Sequence, residues 1–480
     1  MTTTTDPKPV HLPDDVAVVN VGLPLFADAV SRQGRPLVSV DWRIPAGGDP
    51  DVVAALRRLS GPHAAAIDAA NAEVAARLDR GAPQLTAVRP AAEVIEVLAG
   101  GDRTLLHCGP ALTWERAVDP LRRSLRAAVC AEGWADTPAA AERLLADGAV
   151  RLEPANAHRV VVPMATAMGP TTPVWVVELP EAGVTAFAPL GQGSGDVAWF
   201  GRDTPGAIAR LQLLRDAVGP VLAEALRARD PIDVMSLAAQ AVAMGDDVHV
   251  RTQAATNLLL RDLLPGLVAS THPRRREVAA FLSGNHLFFL TLAMAAARCL
   301  TAWAAQVEGS SIVLGMARNA TDFAVWLGGS DARWHLAPAP MVERALYQPG
   351  YTDADAAPDI GDSAVLELVG LGGAAAAGSP AVAQLLGGST AAAAELTEDL
   401  DLVCVARSTR FVIPFWGMRG SPIGVDVRKV VEHGVTPAVT TGILHRSAGS
   451  GQVGAGVAVA PLEPFVAALL TLDARLSGAR

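Results

Sequence analysis

The chain reads as an α/β protein in three parts: an N-terminal α/β domain that opens with a βαβ unit, a central helical block and a C-terminal mixed α/β region. Three observations predict this. β-type runs alternate with amphipathic stretches over the first 150 residues, helical text fills 204 to 303, and short strands punctuated by proline and glycine return after Gly328. The 480 residues are 50% hydrophobic and 18% charged, enough for a large buried core spread over about two to three domains.

Taken in order, residues 1–15 lack both a basic and an apolar targeting segment and read as a disordered tail on a cytoplasmic protein. AVVN at 17–20, an amphipathic stretch from Leu23 to Arg32 and PLVSVDW at 36–42 form the βαβ opening of a domain over 16–150. Helical patterns at 50–60 and 62–79, a strand TLLHC at 104–108, and helices over 114–131 and 137–147 complete it. The second part, 151–330, starts with β-branched runs at Val160–Val162 and Val174–Val177 and a glycine loop at 191–195. Its helical block opens on Thr204-Pro205 and Asp230-Pro231, where a capping side chain meets a proline whose missing N–H costs nothing. The third part, 331–480, carries the glycine-rich GLGGAAAAG at 370–378 and packs on that block.

Several function classes drop out. Lys and Arg total 39 against 49 Asp and Glu, a net charge of −10, so no electrostatic footprint for nucleic acid or anionic lipid exists. The 4 cysteines have no metal-type spacing and give no disulfide framework. The apolar run from Leu287 to Ala297 is bounded by His286 and Arg298, and that from Ala364 to Leu396 is broken by Glu367 and glycines, so neither is a membrane span. Dinucleotide, Walker, zincin and nucleophile-elbow fingerprints are missing from the sequence.

The candidate site residues lie in the middle and last third. A helix beginning near Met244 places Asp246, His249, Gln253 and Asn257 on one face. His249 there is a general acid or base with Asp246 fixing its tautomer; the alternative is a solvated face or a satisfied buried network. Asn285 and His286 precede an apolar helix whose free N–H groups suit an anion, or simply cap it. Glu308, Ser310 and Ser311 crowd small donors beside a carboxylate, with Arg318 and Asn319 at the next strand end. Glu343, Asp359 and Asp362 sit in rigid acidic loops; Asp359 and Asp362, three apart, suit Mg²⁺ or Asx-turns, and with no third acidic ligand beside that pair no metal and no other cofactor is expected, Mg²⁺ being the alternative. Arg419, Asp426, Arg428 and Lys429 form a dense charged cluster fit for a small anion or a salt-bridged helix start, and His445 closes TTGILHR. His107-Cys108-Gly109-Pro110 and Ser408-Thr409-Arg410 are similar to short stretches of aspartate and ornithine carbamoyltransferases, but in reversed order, and are set aside.

Longer strings carry a stronger resemblance. NVGLPLFADAV, CGPALTWERAVDPLR, NAHRVVVPMA, MGDDVHVRTQAAT, GNHLFFLTLAMAAA, VEGSSIVLGMARN, PAPMVE, PGYTDADAAPDIGDSA, RGSPIGVDVRKVVE and TTGILHR run in one order from about Val18 to Pro461. Together they resemble the family of the AllG-type subunit of oxamate carbamoyltransferase. The resemblance implies carbamoyl transfer between oxamate and phosphate: oxalurate plus phosphate giving oxamate plus carbamoyl phosphate in allantoin nitrogen catabolism, beside FdrA-like and accessory subunits or in a homo-oligomer. The expected roles are anion binding by Arg419, Arg428 and Lys429, oxyanion donation by Ser310, Ser311 and Asn319, and proton transfer by His249 backed by Asp246. Relatives commonly read MGDECHNRNKAAT where this chain has Val248, Val250, Thr252 and Gln253. Departures of that kind keep two alternatives open: a paralogous transferase for another ureido or carbamoyl acid, and a non-catalytic scaffold subunit.

Overall fold

The computed structural model describes residues 17–21, 24–40, 44–227, 229–329 and 333–478. The tail read at 1–15 and the Asp41-Trp42 end of the second β-run lie outside the described residues. The fold is α/β, and its opening is a βαβ unit: strands Val18–Val21 and Leu37–Val40 pair in parallel around helix Pro24–Ser31. Helices Pro50–Leu59 and Ala64–Arg80 follow, the first capped by the Asp49 carboxylate, which accepts from the Asp51 and Val52 N–H groups.

Among the described residues, five further sheets carry the rest. Strand Thr104–His107 pairs in parallel with Arg151–Pro154 and antiparallel with Ala167–Met168. Strand Gln84–Pro90 lies between Pro173–Leu179 and Ile232–Asp233, with Val184–Pro189 outside. Hydrogen bonding therefore crosses residue 150 in both sheets. Beyond the helical block, Val313–Asn319 is flanked by Asp322–Leu327 and Ile360–Gly361, and Gln452–Val459 by Val342–Tyr347 and Ala438–Leu444. Cys404–Ile413 and Arg419–Val425 form a hairpin.

The helical block shows how the local signals act. Thr204 caps helix Pro205–Leu213 through its hydroxyl, which accepts from the Ala207 N–H, as expected. At Asp230-Pro231 the expectation shifts by three residues: strand Ile232–Asp233 intervenes, and Asp233 caps helix Val234–Ala243 instead. The helix expected from Met244 starts only at Gln253. Gly245 (φ 95°) and Val248 (φ 61°) take left-handed conformations that break it, and Asp247 turns its carboxylate onto the Val250 and Arg251 N–H groups.

Helix Phe288–Ala304 is the spine of the largest core and packs on strands Pro173–Leu179 and Val184–Pro189. Trp175 meets Phe288 edge-on at 5.3 Å, and its indole N–H donates to Thr291 Oγ1 at 3.1 Å, so a large ring is buried without an unsatisfied donor. Among the described residues no single helix is long and apolar enough to cross a membrane.

Candidate functional site

Four segments far apart in sequence meet backbone to backbone near the end of strand Thr104–His107. The loop after that strand turns at Gly109, φ 76°, where a Cβ would lie 2.6 Å from Asn319 Cβ and 2.7 Å from the Arg318 carbonyl carbon. Only glycine admits that approach. The Gly109 N–H donates to Asp362 Oδ1 at 2.8 Å and the Val162 N–H to Asp362 Oδ2 at 3.1 Å, so one carboxylate ties two of the segments to a third. Asn319 secures the fourth by donating to the Pro110 carbonyl at 3.0 Å. Gly361, bridged to both Pro163 and Arg318, lets the chain pass between them.

Asp362 is fully buried, and burial pushes its pKa up to about 7 against the pull of the Gly109 and Val162 N–H groups. Beside it, the buried Arg318 guanidinium forks onto Asp359 at 2.7 and 3.1 Å and donates to the Gly361 carbonyl at 2.7 Å. Burial opposes its charge, but the Asp359 carboxylate outweighs that and holds the guanidinium above its ordinary value. Thr441 donates to Asp359 at 2.9 Å.

This junction backs a cavity of about 500 Å³, walled by the Gly109–Ala111 loop, Asn156, Arg298, Trp326, Trp334 and Leu336, among others. Gly315 makes room for the Trp334 ring, which lies 6.2 Å from that of Trp326. Arg298 is the only charged residue of helix Phe288–Ala304. Its guanidinium stacks 5.6 Å from the centre of the Trp326 ring and reaches Thr301 Oγ1 at 3.4 Å. Its Nε is buried without a hydrogen-bond partner, while the Asn156 amide faces Asp362 and favours that carboxylate's charged form. Among the described residues no carboxylate pairs with Arg298. Burial pushes its pKa down to about 10, which leaves a cation at neutral pH. Arg298 thus stands as a cation with no carboxylate at ion-pair distance, drawn only at longer range by Asp362, at the wall of an open, tryptophan-lined cavity, an arrangement that can hold a small anion.

The remaining expected residues fall elsewhere. Ser310 and Ser311 are buried around Asn71, whose amide bonds both serines and Asp426. Asp426 caps helix Val427–His433 and pairs with Arg428 at 2.8 Å, while Asp68 takes the same guanidinium at 2.7 Å. Lys429 donates to the Cys404 carbonyl. Asp68, Asn71, Asp426, Arg428 and Lys429 line a second cavity of about 540 Å³, in which Arg428 and Arg407 are paired with carboxylates and Lys429 is held by a backbone carbonyl. Arg419 is exposed and stacks on Trp416.

His249 does not pair with Asp246. Its Nδ1 lies 2.8 Å from Glu367 Oε1, which also accepts from the Gly373 and Thr440 N–H groups. Asp246 instead pairs with Arg251 at 2.7 Å and accepts from the Ala255 N–H at the start of helix Gln253–Ala269. Thr440 and Thr441 join the two networks: Thr440 reaches Asp247 and Glu367, and Thr441 reaches Asp359. The histidine thus stands behind the Arg318 junction, on neither cavity wall and in a different network from Arg428. Asn285 donates to the Gly191 carbonyl and so holds the glycine loop. His286 is exposed, its carbonyl accepting from Thr252 and Thr256. Glu308 and Glu343 are exposed, and His445 accepts from the Ser447 N–H. Among the described residues no group of three metal-ligating side chains forms, and Asp359 and Asp362 are each taken up by protein donors.

Sequence reading missed Arg298, Asn156, Gly109 and Glu367 as site material. Arg298 carried the usable signal, a single charge inside an otherwise apolar helix. Gly109 and Asn156 lay within strings that carried the resemblance.

A family model described as oxamate carbamoyltransferase subunit AllG matches residues 150–363, which include Asn156, Arg298, Arg318, Trp326, Trp334 and Asp362. The chain is 37% identical over 407 residues to the oxamate carbamoyltransferase subunit AllG of Escherichia coli (strain K12), covering 84% of this chain and 97% of that protein. It is 31% identical over 456 residues to the uncharacterized protein YahG of the same organism, covering 94% and 96%. A crystal structure of a conserved protein of unknown function from Enterococcus faecalis V583 is similar with a TM-score of 0.82 and 33% identity, covering 85% of this chain and 98% of that one.

Proposed function

The chain belongs to the AllG family of oxamate carbamoyltransferase subunits, and from that membership we propose that it forms the anion-binding part of a carbamoyltransferase acting on oxalurate and phosphate. A phosphate oxygen attacks the carbamoyl carbon of oxalurate, the bond from that carbon to the inner nitrogen breaks, and the nitrogen leaves with a proton as the amide of oxamate. Carbamoyl phosphate is the other product. Both substrates are small anions, and the reaction needs no redox group.

The observation that carries the reading is Arg298, a cation with no carboxylate at ion-pair distance at the wall of a cavity of about 500 Å³. There it holds a carboxylate or phosphate, with the Asn156 amide as a neutral donor beside it. Trp326 and Trp334 give the wall apolar faces that would limit the water beside the carbamoyl group. Asp362 is a positioning residue: it fixes the Gly109 loop and Val162 without touching the cavity. His249 stands off both cavities, and the proton role suggested by its sequence neighbourhood is not part of this reading.

The chain alone, and the chain with FdrA-like and accessory subunits, would be given oxalurate and phosphate while carbamoyl phosphate is measured. Loss of at least about a hundredfold in kcat/KM on Arg298→Met is expected. Full turnover by that variant within an active complex would mean that the partners do the chemistry and this chain is a scaffold.

A further inference from the structure

The tryptophan wall of the cavity is one face of one sheet. Gly315 of strand Val313–Asn319 pairs with Trp326 of strand Asp322–Leu327, and the latter strand pairs Val325 with His335 and Ala324 with Leu336 of strand His335–Pro338. The same register, run on by one residue, sets Trp334 across from Trp326. Opposed side chains share a face, and faces alternate along each strand. Trp326, Trp334 and Leu336 therefore stand on the cavity side, while Met316, Phe323 and Val325 enter the core on the other.

Gly315 belongs to the tryptophan row and leaves it room: a Cβ there would lie 2.7 Å from Trp334 Cη2 and 3.2 Å from Trp326 Cε3. The two rings are 6.2 Å apart and tilted by 31°. The Arg298 guanidinium covers the Trp326 ring, 5.6 Å from its centre. Among the described residues no guanidinium stacks on Trp334, which is half-buried and lines the cavity together with Arg298.

A cation and an indole on one wall suit a carboxylate that is part of a flat conjugated group, because the guanidinium takes the charge and the ring takes the π-face. Oxalurate is such a molecule: its ureido group joins its α-keto acid with no tetrahedral carbon between them. We propose that Trp334, seated on Gly315, is the specificity-determining residue of the cavity and selects flat ureido acids over those bent at a tetrahedral carbon. Naming oxalurate as the flat acid rests on the carbamoyltransferase reading; the choice of flat over bent does not.

The test is titration calorimetry on the full chain with oxalurate and, separately, N-carbamoylglycine, which has the same charge and ureido group but a methylene in place of the keto carbonyl. The wild-type chain should bind oxalurate at least about tenfold more tightly. Trp334→Leu should weaken oxalurate binding about tenfold and N-carbamoylglycine binding less than about threefold, and Trp334→Phe, with a smaller flat ring, should keep most of the preference. Gly315→Ala changes no residue of the wall and displaces the ring, so it should lose the preference as Trp334→Leu does. An equal loss for both acids in Trp334→Leu, an unaltered preference in that variant, or no oxalurate binding by the wild-type chain would each overturn the proposal. The two readings fail separately. The expected binding pattern in a complex that makes no carbamoyl phosphate removes the transferase reading and keeps the role of Trp334. Carbamoyl phosphate formation with the preference intact in Trp334→Leu does the reverse.

Discussion

Replacing Arg298 by methionine should remove function and raise stability together. A guanidinium whose pKa falls from its ordinary value to about 10 on folding carries a cost of about 3 kcal/mol at neutral pH, at ~1.4 kcal/mol per pH unit. Arg298 keeps some accessible surface, and water screening reduces that to about 2–3 kcal/mol. Methionine has a comparable apolar stem, and forfeits the stacking on Trp326, worth about 0.5–1 kcal/mol, and the long bond to Thr301, worth about 0.5 kcal/mol. The variant should therefore gain about 0.5–2 kcal/mol. Because the folded value is the lower one, the cost is fully present at every pH below about 10, and the gain should be constant between about pH 6 and 9. Urea unfolding followed by circular dichroism gives the stability, and carbamoyl phosphate formation in the assembled complex gives the activity. A variant less stable than wild type would show that Arg298 serves the fold, and the argument from an unbalanced cation would be lost.

Burial raises the carboxyls of Asp362 to about 7 and Asp246 to about 6, so each holds a proton in the folded chain that it has released in the unfolded one; stability should fall as pH rises from about 4 to 7 and then level. Asp362→Asn should remove its share, about 4 kcal/mol across that window, and an unaltered pH profile in this variant would contradict the burial argument. Gly109→Ala should cost at least about 2 kcal/mol and most of the activity, since its Cβ meets Asn319 and the Arg318 backbone; Gly100→Ala, with open space around it, is the control that should cost under about 1 kcal/mol. Arg318→Met should destabilise by about 3–5 kcal/mol by stranding the buried Asp359, and Arg318→Met with Asp359→Leu should recover part of it; a double variant no better than the single would show that the pair is not the source.

Much of the fold was legible because its signals are local. The βαβ opening, the strand TLLHC and the Thr204-Pro205 helix start rest on periodicity and capping within a few residues, and these act the same way in the folded chain. The helix expected at Met244 failed because two left-handed residues interrupt a polar stripe that looks helical only by spacing. The site was harder to read because its partners are distant: Glu367 is 118 residues from His249, and Asp426 is 355 from Asn71. The sequence displayed Asp246 three positions from His249 and so offered the wrong partner. It displayed Arg428 as an accessible cation, whereas Asp68, on a helix 360 residues earlier, neutralises it. Arg298 was noticed only as an interruption of an apolar run, although the same physics that forbids a lone charge there makes it worth asking what the charge is for.

The contact between Gly109 and Asp362 spans 253 residues of chain. At a ribosomal pace of about 5–20 residues per second, some 10–50 s pass between emergence of the loop and arrival of the carboxylate that fixes it. Throughout that interval the nascent polypeptide carries an unmoored turn and an arginine-bearing apolar helix with no lid, surfaces that chaperones bind. Maturation of the cavity is thus a late event in biogenesis, and a ribosome stalled before codon 362 would release a product with much of its secondary structure but no finished chamber.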